Sequence, residues 1–171
     1  MRGEREPKGY CKDFNLQMHA PYCTPSEYVQ TLNRLRDIAM ERPLGMPIHI
    51  TLDQEGNGNE NFTLGNVRLF PSAMGLAATD DPDLVCQVAT ALGKQLQAAG
   101  FNWIHSPVLD VNANPRNPEV GTRSYSNDFR KVIRYATAAL KGFQESRIIA
   151  TGKHFPGRGD SETDSHLALP A

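Results

Sequence analysis

The sequence predicts an α/β domain built on parallel strands. Three features of the chain predict it. Apolar stripes of helical period alternate with short apolar runs of strand length. Each strand-like run passes into a polar, Gly- or Asn-bearing loop. The two long aperiodic stretches, 53–80 and 110–125, both follow such runs, and in parallel α/β folds the loops after strand C-termini carry the chemistry.

The elements follow in order. Thr24-Pro25-Ser26-Glu27 is a capping box with Pro25 at the first helical position. Behind it Val29, Leu32, Leu35 and Ala39 form an apolar stripe, so a helix should run to about Glu41, where Pro43-Leu44-Gly45-Met46-Pro47 ends it. Ile48 to Leu52 reads as a buried strand closing on Asp53. Asp81-Pro82 opens a second helix with the stripe Leu84, Val85, Val88, Ala89, Leu92 and Leu96, and Gly100 suits its C′ position. Phe101 to Leu109 reads as a strand followed by Asp110. A third helix should begin near Ser126 or Asn127, with Phe129, Val132, Ile133, Ala136, Leu140 and Phe143 on one face, and lead into the strand Ile148 to Gly152. Strand, helix, strand, helix, strand implies right-handed crossovers. A closed eight-stranded barrel needs at least roughly 200 residues. Length by itself therefore favours an open doubly wound sheet, unless the chain is a fragment.

The bulk numbers narrow the functional classes. A length of 171 residues suits one domain or a piece of one. Hydrophobic content of 39% and a mean hydropathy of −0.47 describe a globular chain. A net charge of −1 offers no electrostatic footprint for nucleic acid or an anionic membrane. No apolar run has the length of a membrane span. Met1 to Lys8 is charged, with no apolar segment behind it. A cytoplasmic location is the expectation, with a secreted or periplasmic one open if a leader was removed. Cys11, Cys23 and Cys86 show no metal-type spacing. Cys86 falls on a helical stripe and is expected in the core. Cys11 and Cys23 could pair in an oxidising compartment, although a reduced protein is the simpler reading.

The densest chemistry lies in the tail, Lys153-His154-Phe155-Pro156-Gly157-Arg158-Gly159-Asp160-Ser161-Glu162-Thr163-Asp164-Ser165-His166. In Asp164-Ser165-His166, residues two apart in an extended loop share a side, so the carboxylate can accept the imidazole Nδ1–H and leave Nε2 for proton transfer. The alternative is a solvated loop with a surface histidine. Lys153 and His154 follow the last strand and should look into the same mouth as Asp53. Asp53 can accept paired hydrogen bonds from sugar hydroxyls or simply cap a turn. Asp110 reads as a structural or supporting acid. Arg123 is either a clamp for hydroxyls or carboxylate or a surface cap. His154, Asp160, Asp164 and His166 include metal-ligand types, but their spacing matches no tight pattern, so no metal is expected. Arg158-Gly159-Asp160 resembles an adhesion tripeptide by coincidence only.

The run Lys-His-Phe-Pro-Gly-x-Gly-Asp-x-x-x-Asp-Ser-His, filled by Lys153 to His166, resembles the signature of glycoside hydrolase family 3 in its β-N-acetylglucosaminidase branch. Leu52-Asp53-Gln54-Glu55-Gly56, Phe70 to Met74, Ser106 to Asn112 and Gly121 to Ser126 are similar to that family's other blocks, in the same order. The resemblance covers roughly Thr24 to Pro170. It implies a (β/α)8 TIM-type barrel, incomplete in this chain, so that residues 1–171 would be a single partial domain completed by the remainder of the barrel, from the same longer chain or another copy. It implies that Asp53, Arg123, Lys153 and His154 bind hydroxyls of a terminal sugar. His166 would be the general acid/base and Asp164 its orienting partner, in a retaining double displacement on β-linked N-acetylglucosamine from peptidoglycan- or chitin-derived saccharides. It implies no cofactor, and a saccharide as partner rather than nucleic acid or membrane. The family's nucleophilic aspartate lies past the Asp-Ser-His loop, where this chain has no matching residue. The branch also carries an arginine shortly after the Asp-Gln-Glu-Gly block. Here Asn57-Gly58-Asn59-Glu60-Asn61 stands there, and Arg68 is the nearest candidate. A non-catalytic saccharide-binding protein and a β-glucosidase of the same family are the alternatives.

Overall fold

The computed structural model describes residues 25–56 and 68–169. Thr24 of the capping box, Cys11, Cys23 and the segment 57–61 lie outside the described residues. The elements are α1 (Pro25–Met40), β1 (Thr51–Leu52), α2 (Ala73–Ala77), α3 (Pro82–Ala99), β2 (Trp103–Ile104), a 3-10 turn (Gly121–Arg123), α4 (Phe129–Glu145) and β3 (Ile149–Ala150). The three strands form a parallel sheet in the order β1-β2-β3. Thr51 stands beside Trp103 and Trp103 beside Ile149.

The ladders are shorter than the apolar runs, because side chains and bridges take over beyond them. Asn102 accepts from the Ile50 N–H at 2.7 Å and donates to the Ile48 carbonyl at 2.9 Å, so its amide replaces a backbone partner before β1. At the other end Lys153 N donates to the Pro107 carbonyl, and Val108 bridges Lys153 in parallel. This extension brings the residues after all three strands to one carboxyl-end rim, where Lys153 meets Asp53 and His154 meets Asp110.

Helix α3 has the expected signals at both ends. Asp81 accepts from the N–H groups of Asp83 and Leu84, and Gly100 ends the helix at φ 106°. Helix α4 starts later than Ser126 or Asn127. Asp128 is its N-cap, accepting from Arg130 N at 2.9 Å, while the Ser126 hydroxyl accepts from Asp128 N one step earlier. The stretch 53–80 also contains a helix, α2, capped by Ser72. Five residues are too few to print a helical period.

The core lies between the helices and one face of the sheet. Val85, Ala89, Leu92 and Leu96 of α3 share it with Val132, Tyr135, Ala136, Ala139 and Phe143 of α4, and Ile104 and Phe101 close it from the sheet. The two helices meet at glycine. A Cβ at Gly142 would stand 2.3 Å from the Cys86 carbonyl oxygen. The expected α4 face was too wide. Phe129 and Ile133 are 56% and 61% exposed and Leu140 is also exposed, one step round the helix from the buried seam. Tyr135 fills that seam instead, its phenol donating to Asp80 at 2.6 Å. Cys86 is only half-buried, with Sγ 4.0 Å from a Glu145 carboxylate oxygen, because it sits at the margin of the α3–α4 contact. No helix among the described residues is long and apolar enough to cross a membrane.

Candidate active site

Four charged groups interlock at the rim. Lys153 Nζ contacts both the Asp53 and the Glu55 carboxylates. Arg123 reaches the same Glu55 through two nitrogens, Nε at 2.7 Å and Nη2 at 3.0 Å, a bidentate pair. The Glu55 side chain is only 2% exposed. Burial alone would raise its pKa, but hydrogen bonds from Arg123 and Lys153 outweigh that and hold it below its ordinary value. The Arg123 guanidinium is raised in turn, chiefly by its hydrogen bond to Glu55. Glu55 is thus the hinge of the cluster, holding Arg123 and Lys153 on one carboxylate while Lys153 also reaches Asp53. Within this chain the carboxylate that Arg123 grips is Glu55.

A second network hangs on Asp110. Its buried carboxylate accepts from His154 N at 3.1 Å, from His154 Nδ1 at 2.6 Å and from Arg158 N at 2.8 Å. A carboxylate only accepts, so His154 carries its proton on Nδ1. Its Nε2 is then the acceptor for Arg158 Nη2 at 2.9 Å. Burial would raise the Asp110 pKa, but the imidazole and two backbone N–H groups lower it below the usual carboxylate value. Both ring nitrogens of His154 are therefore engaged by protein. The backbone follows closely here, since a Cβ at Gly159 would lie 1.8 Å from the Val111 carbonyl oxygen.

The third group carries Asp164 and His166. Asp164 Oδ1 lies 2.8 Å from His166 Nδ1 and accepts from His166 N at 2.9 Å. The pair meets as expected, but in a turn rather than an extended loop, since the Asp164 carbonyl also accepts from Leu167 N and Ala168 N. The Asp164 carboxyl is held below its ordinary value, first by the backbone N–H of His166 and then by its ring. The His166 side chain is 71% exposed, and with Nδ1 turned to carboxylate, Nε2 is left for proton exchange. Glu119 Oε1 approaches the same Nδ1 to 3.0 Å.

The sequence does not by itself single out Glu55, Glu119 or Arg158 as site residues. Glu55 stood inside a quoted block, and Glu119 lies in an aperiodic loop where nothing announces a long-range contact. Arg158, flanked by two glycines and with no periodic signal, joins His154, Ser165 and Glu119. Arg68, the substitute arginine, is exposed, and its N–H donates to Gln95 of α3. Among the described residues, His154 and Asp160 do not join Asp164 and His166 in a ligand cluster. The group that assembles is Glu119, Asp164 and His166, with ligand atoms within 4.8 Å of one another. The Arg158 guanidinium already meets Glu119 there at 2.6 Å.

Comparison with known proteins decides the family. Residues 19–171 match the N-terminal domain of glycosyl hydrolase family 3. The chain belongs to that family. A β-hexosaminidase A from Pseudoalteromonas piscicida is 33% identical over 148 residues, covering 85% of this chain and 25% of its own length. A protein from Cellulomonas fimi named β-N-acetylglucosaminidase/β-glucosidase is 35% identical over 122 residues, covering 71% of this chain and 21% of its own. The solved structure of a family 3 β-N-acetylglucosaminidase from Paenibacillus sp. str. FPU-7 superposes with a TM-score of 0.82 at 40% identity, over 86% of this chain and 28% of that one. The chain thus spans about a quarter of the length of these relatives. Its three parallel strands and their helices are a segment of an α/β barrel, and the open doubly wound sheet that length favoured is set aside.

Proposed function

We propose that these residues are the terminal-sugar pocket and the acid/base arm of a retaining β-N-acetylhexosaminidase, acting on peptidoglycan- or chitin-derived saccharides. The observation that carries the reading is the Asp164–His166 contact of 2.8 Å on an exposed imidazole. In this reading Lys153 and Arg123, held by Glu55, donate to sugar hydroxyls, while Asp53 accepts from them. His154, braced by Asp110, lines the same rim. A carboxylate from outside this chain attacks the anomeric carbon through an oxocarbenium-like transition state. The glycosidic C–O bond breaks and His166 Nε2 gives its proton to the leaving oxygen. The now neutral His166 then takes a proton from water, which attacks the glycosyl-enzyme and frees the carboxylate with net retention. Asp164 fixes the ring and offsets the positive charge while the imidazole is protonated. In this reading the remaining strands of the barrel are supplied by a longer chain or by another copy.

The test is His166→Ala in the full-length protein. Turnover of an N-acetylglucosaminyl disaccharide should fall by about 10²–10⁴-fold, because a sugar alkoxide must be protonated as it leaves. With a nitrophenyl leaving group, which departs without a proton, the loss of the bond-breaking step should be under about tenfold. Equal losses on both substrates overturn the acid assignment. The Cellulomonas fimi relative, whose name carries both activities, favours a second reading in which glucosides are also cleaved. Comparing kcat/KM for the glucoside and the N-acetylglucosaminide separates the two.

A further inference from the structure

We infer that Glu119 is a positioning residue for His166, fixing the acid/base arm in space through a three-point clamp. The inference rests on the acid/base role proposed for His166. The Glu119 side chain is 4% exposed. Its Oε1 meets Arg158 Nη1 at 2.6 Å and His166 Nδ1 at 3.0 Å. Its Oε2 accepts from Ser165 N at 3.1 Å and from the Ser165 hydroxyl at 3.2 Å. Arg158 also donates to the Ser165 hydroxyl at 2.9 Å. One buried carboxylate therefore holds the base of the arm, its middle and the ring at its end.

Asp164 cannot do this alone. It lies on the same turn as His166, so it fixes the ring relative to the turn and moves wherever the turn moves. Glu119 belongs to another segment. Its own backbone is tied down, with its N–H donating to Asn117 Oδ1 at 2.9 Å and its carbonyl accepting from Arg123 Nη1 at 3.0 Å. The line Glu55–Arg123–Glu119–His166 thus runs from the rim cluster to the imidazole. It sets the distance between the sugar-binding cations and the proton donor. The rest of the loop has separate fastenings. Asn117 donates to the carbonyls of Arg158 and Ser161, and Asn114 to that of Asp160. Loss of the Glu119 carboxylate should release residues 164–166 while leaving 158–161 in place.

The experiment is a double-mutant cycle in the full-length protein, with Glu119→Gln, His166→Ala and their combination, each measured on the disaccharide and on the nitrophenyl glycoside. Glu119→Gln should lower kcat on the disaccharide by about 10–100-fold, a fraction of the full acid/base contribution. The disaccharide KM and the burst of nitrophenol release, which reports the bond-breaking step alone, should stay within about threefold, and that burst also reports that the variant is folded. On the His166→Ala background Glu119→Gln should cost less than about twofold more, because residues acting through one group are not additive. Losses that multiply, that fall equally on both leaving groups, or that are absent from the disaccharide overturn the proposal. A His166→Ala variant with no leaving-group dependence identifies the acid assignment itself as the failure, and Glu119's role falls with it. If the Gln variant does not fold, Glu119→Asp, which keeps the charge but draws it back, should show the same leaving-group asymmetry.

Discussion

Replacing Asp110 by Asn would separate charge from shape at the best-buried acid of the site. The carboxylate is fully enclosed and accepts three hydrogen bonds, two from backbone N–H groups and one from an imidazole. Hydrogen bonds to a charged group contribute about 1.5–3 kcal/mol each, so the three give an upper bound of about 5–9 kcal/mol. The cost of burying the charge offsets part of that, and removing one partner of a buried ionic network costs about 3–5 kcal/mol. Asn keeps one oxygen, and with it the bonds to one side of the loop. It presents an NH2 group to the donor on the other side. The expected loss is therefore about 2–4 kcal/mol, a large share of an ordinary stability of about 5–15 kcal/mol.

The pH dependence supplies the refutation. The Asp110 pKa is lowered in the folded state from its ordinary 3.8. A depressed carboxylate contributes stability that is fully present above the unfolded value and is lost as pH falls through the folded one. Urea unfolding of the full-length wild type and of Asp110→Asn should thus show the full gap at pH 5, above the unfolded value. The gap should narrow only once pH drops below 3.8. A gap that is as large at the acid end as at pH 5 would mean that Asn fails through packing, and the electrostatic argument would be wrong. A gap under about 0.5 kcal/mol at pH 7 would mean that the three bonds contribute nothing beyond a surface substitution.

Two further predictions come from the same contacts. Glu55→Gln should raise KM for an N-acetylglucosaminide by about tenfold or more, since Lys153 and Arg123 lose the shared charge that aims them and each broken charged hydrogen bond costs about 1.5–3 kcal/mol; steady-state kinetics showing an unchanged KM would remove Glu55 as the hinge of the pocket. Gly142→Ala should destabilise by about 1–3 kcal/mol, because the added methyl stands 2.3 Å from a backbone oxygen of α3 and can be accommodated only by parting the helices; an unchanged thermal midpoint would show that the α3–α4 seam is looser than its packing implies.

What the sequence could and could not disclose follows the range of the interactions. Periodicity and caps are local, so α1, α3 and α4 and the strand-like runs were legible, with Asp81 and Gly100 marking the ends of α3. The excess breadth of the α4 face has a local cause too. Phe129 and Ile133 obey the helical period as well as Val132 and Ala136 do, and only a neighbouring helix decides which stripe is covered. Asp164 and His166 were legible as a pair because two residues suffice to bring them together. Glu119 was not, since it reaches His166 across 47 positions of chain and stands in a loop without a repeat. Asp110 and Glu55 lie between these cases: each follows a strand-like run, which puts it at the rim, but what each holds depends on residues 44 and 68 positions away. Strand ends therefore indicate where a site forms in this fold. Which charge braces which is set by loops that become neighbours only after the sheet has formed. That division makes the Glu119 cycle more informative than further substitutions at Asp164. Asp164 orients the ring from within its own turn, whereas Glu119 ties the turn to Arg123 and Arg158, so its removal tests whether catalysis depends on the imidazole being present or on its being held at a fixed distance from the sugar-binding rim.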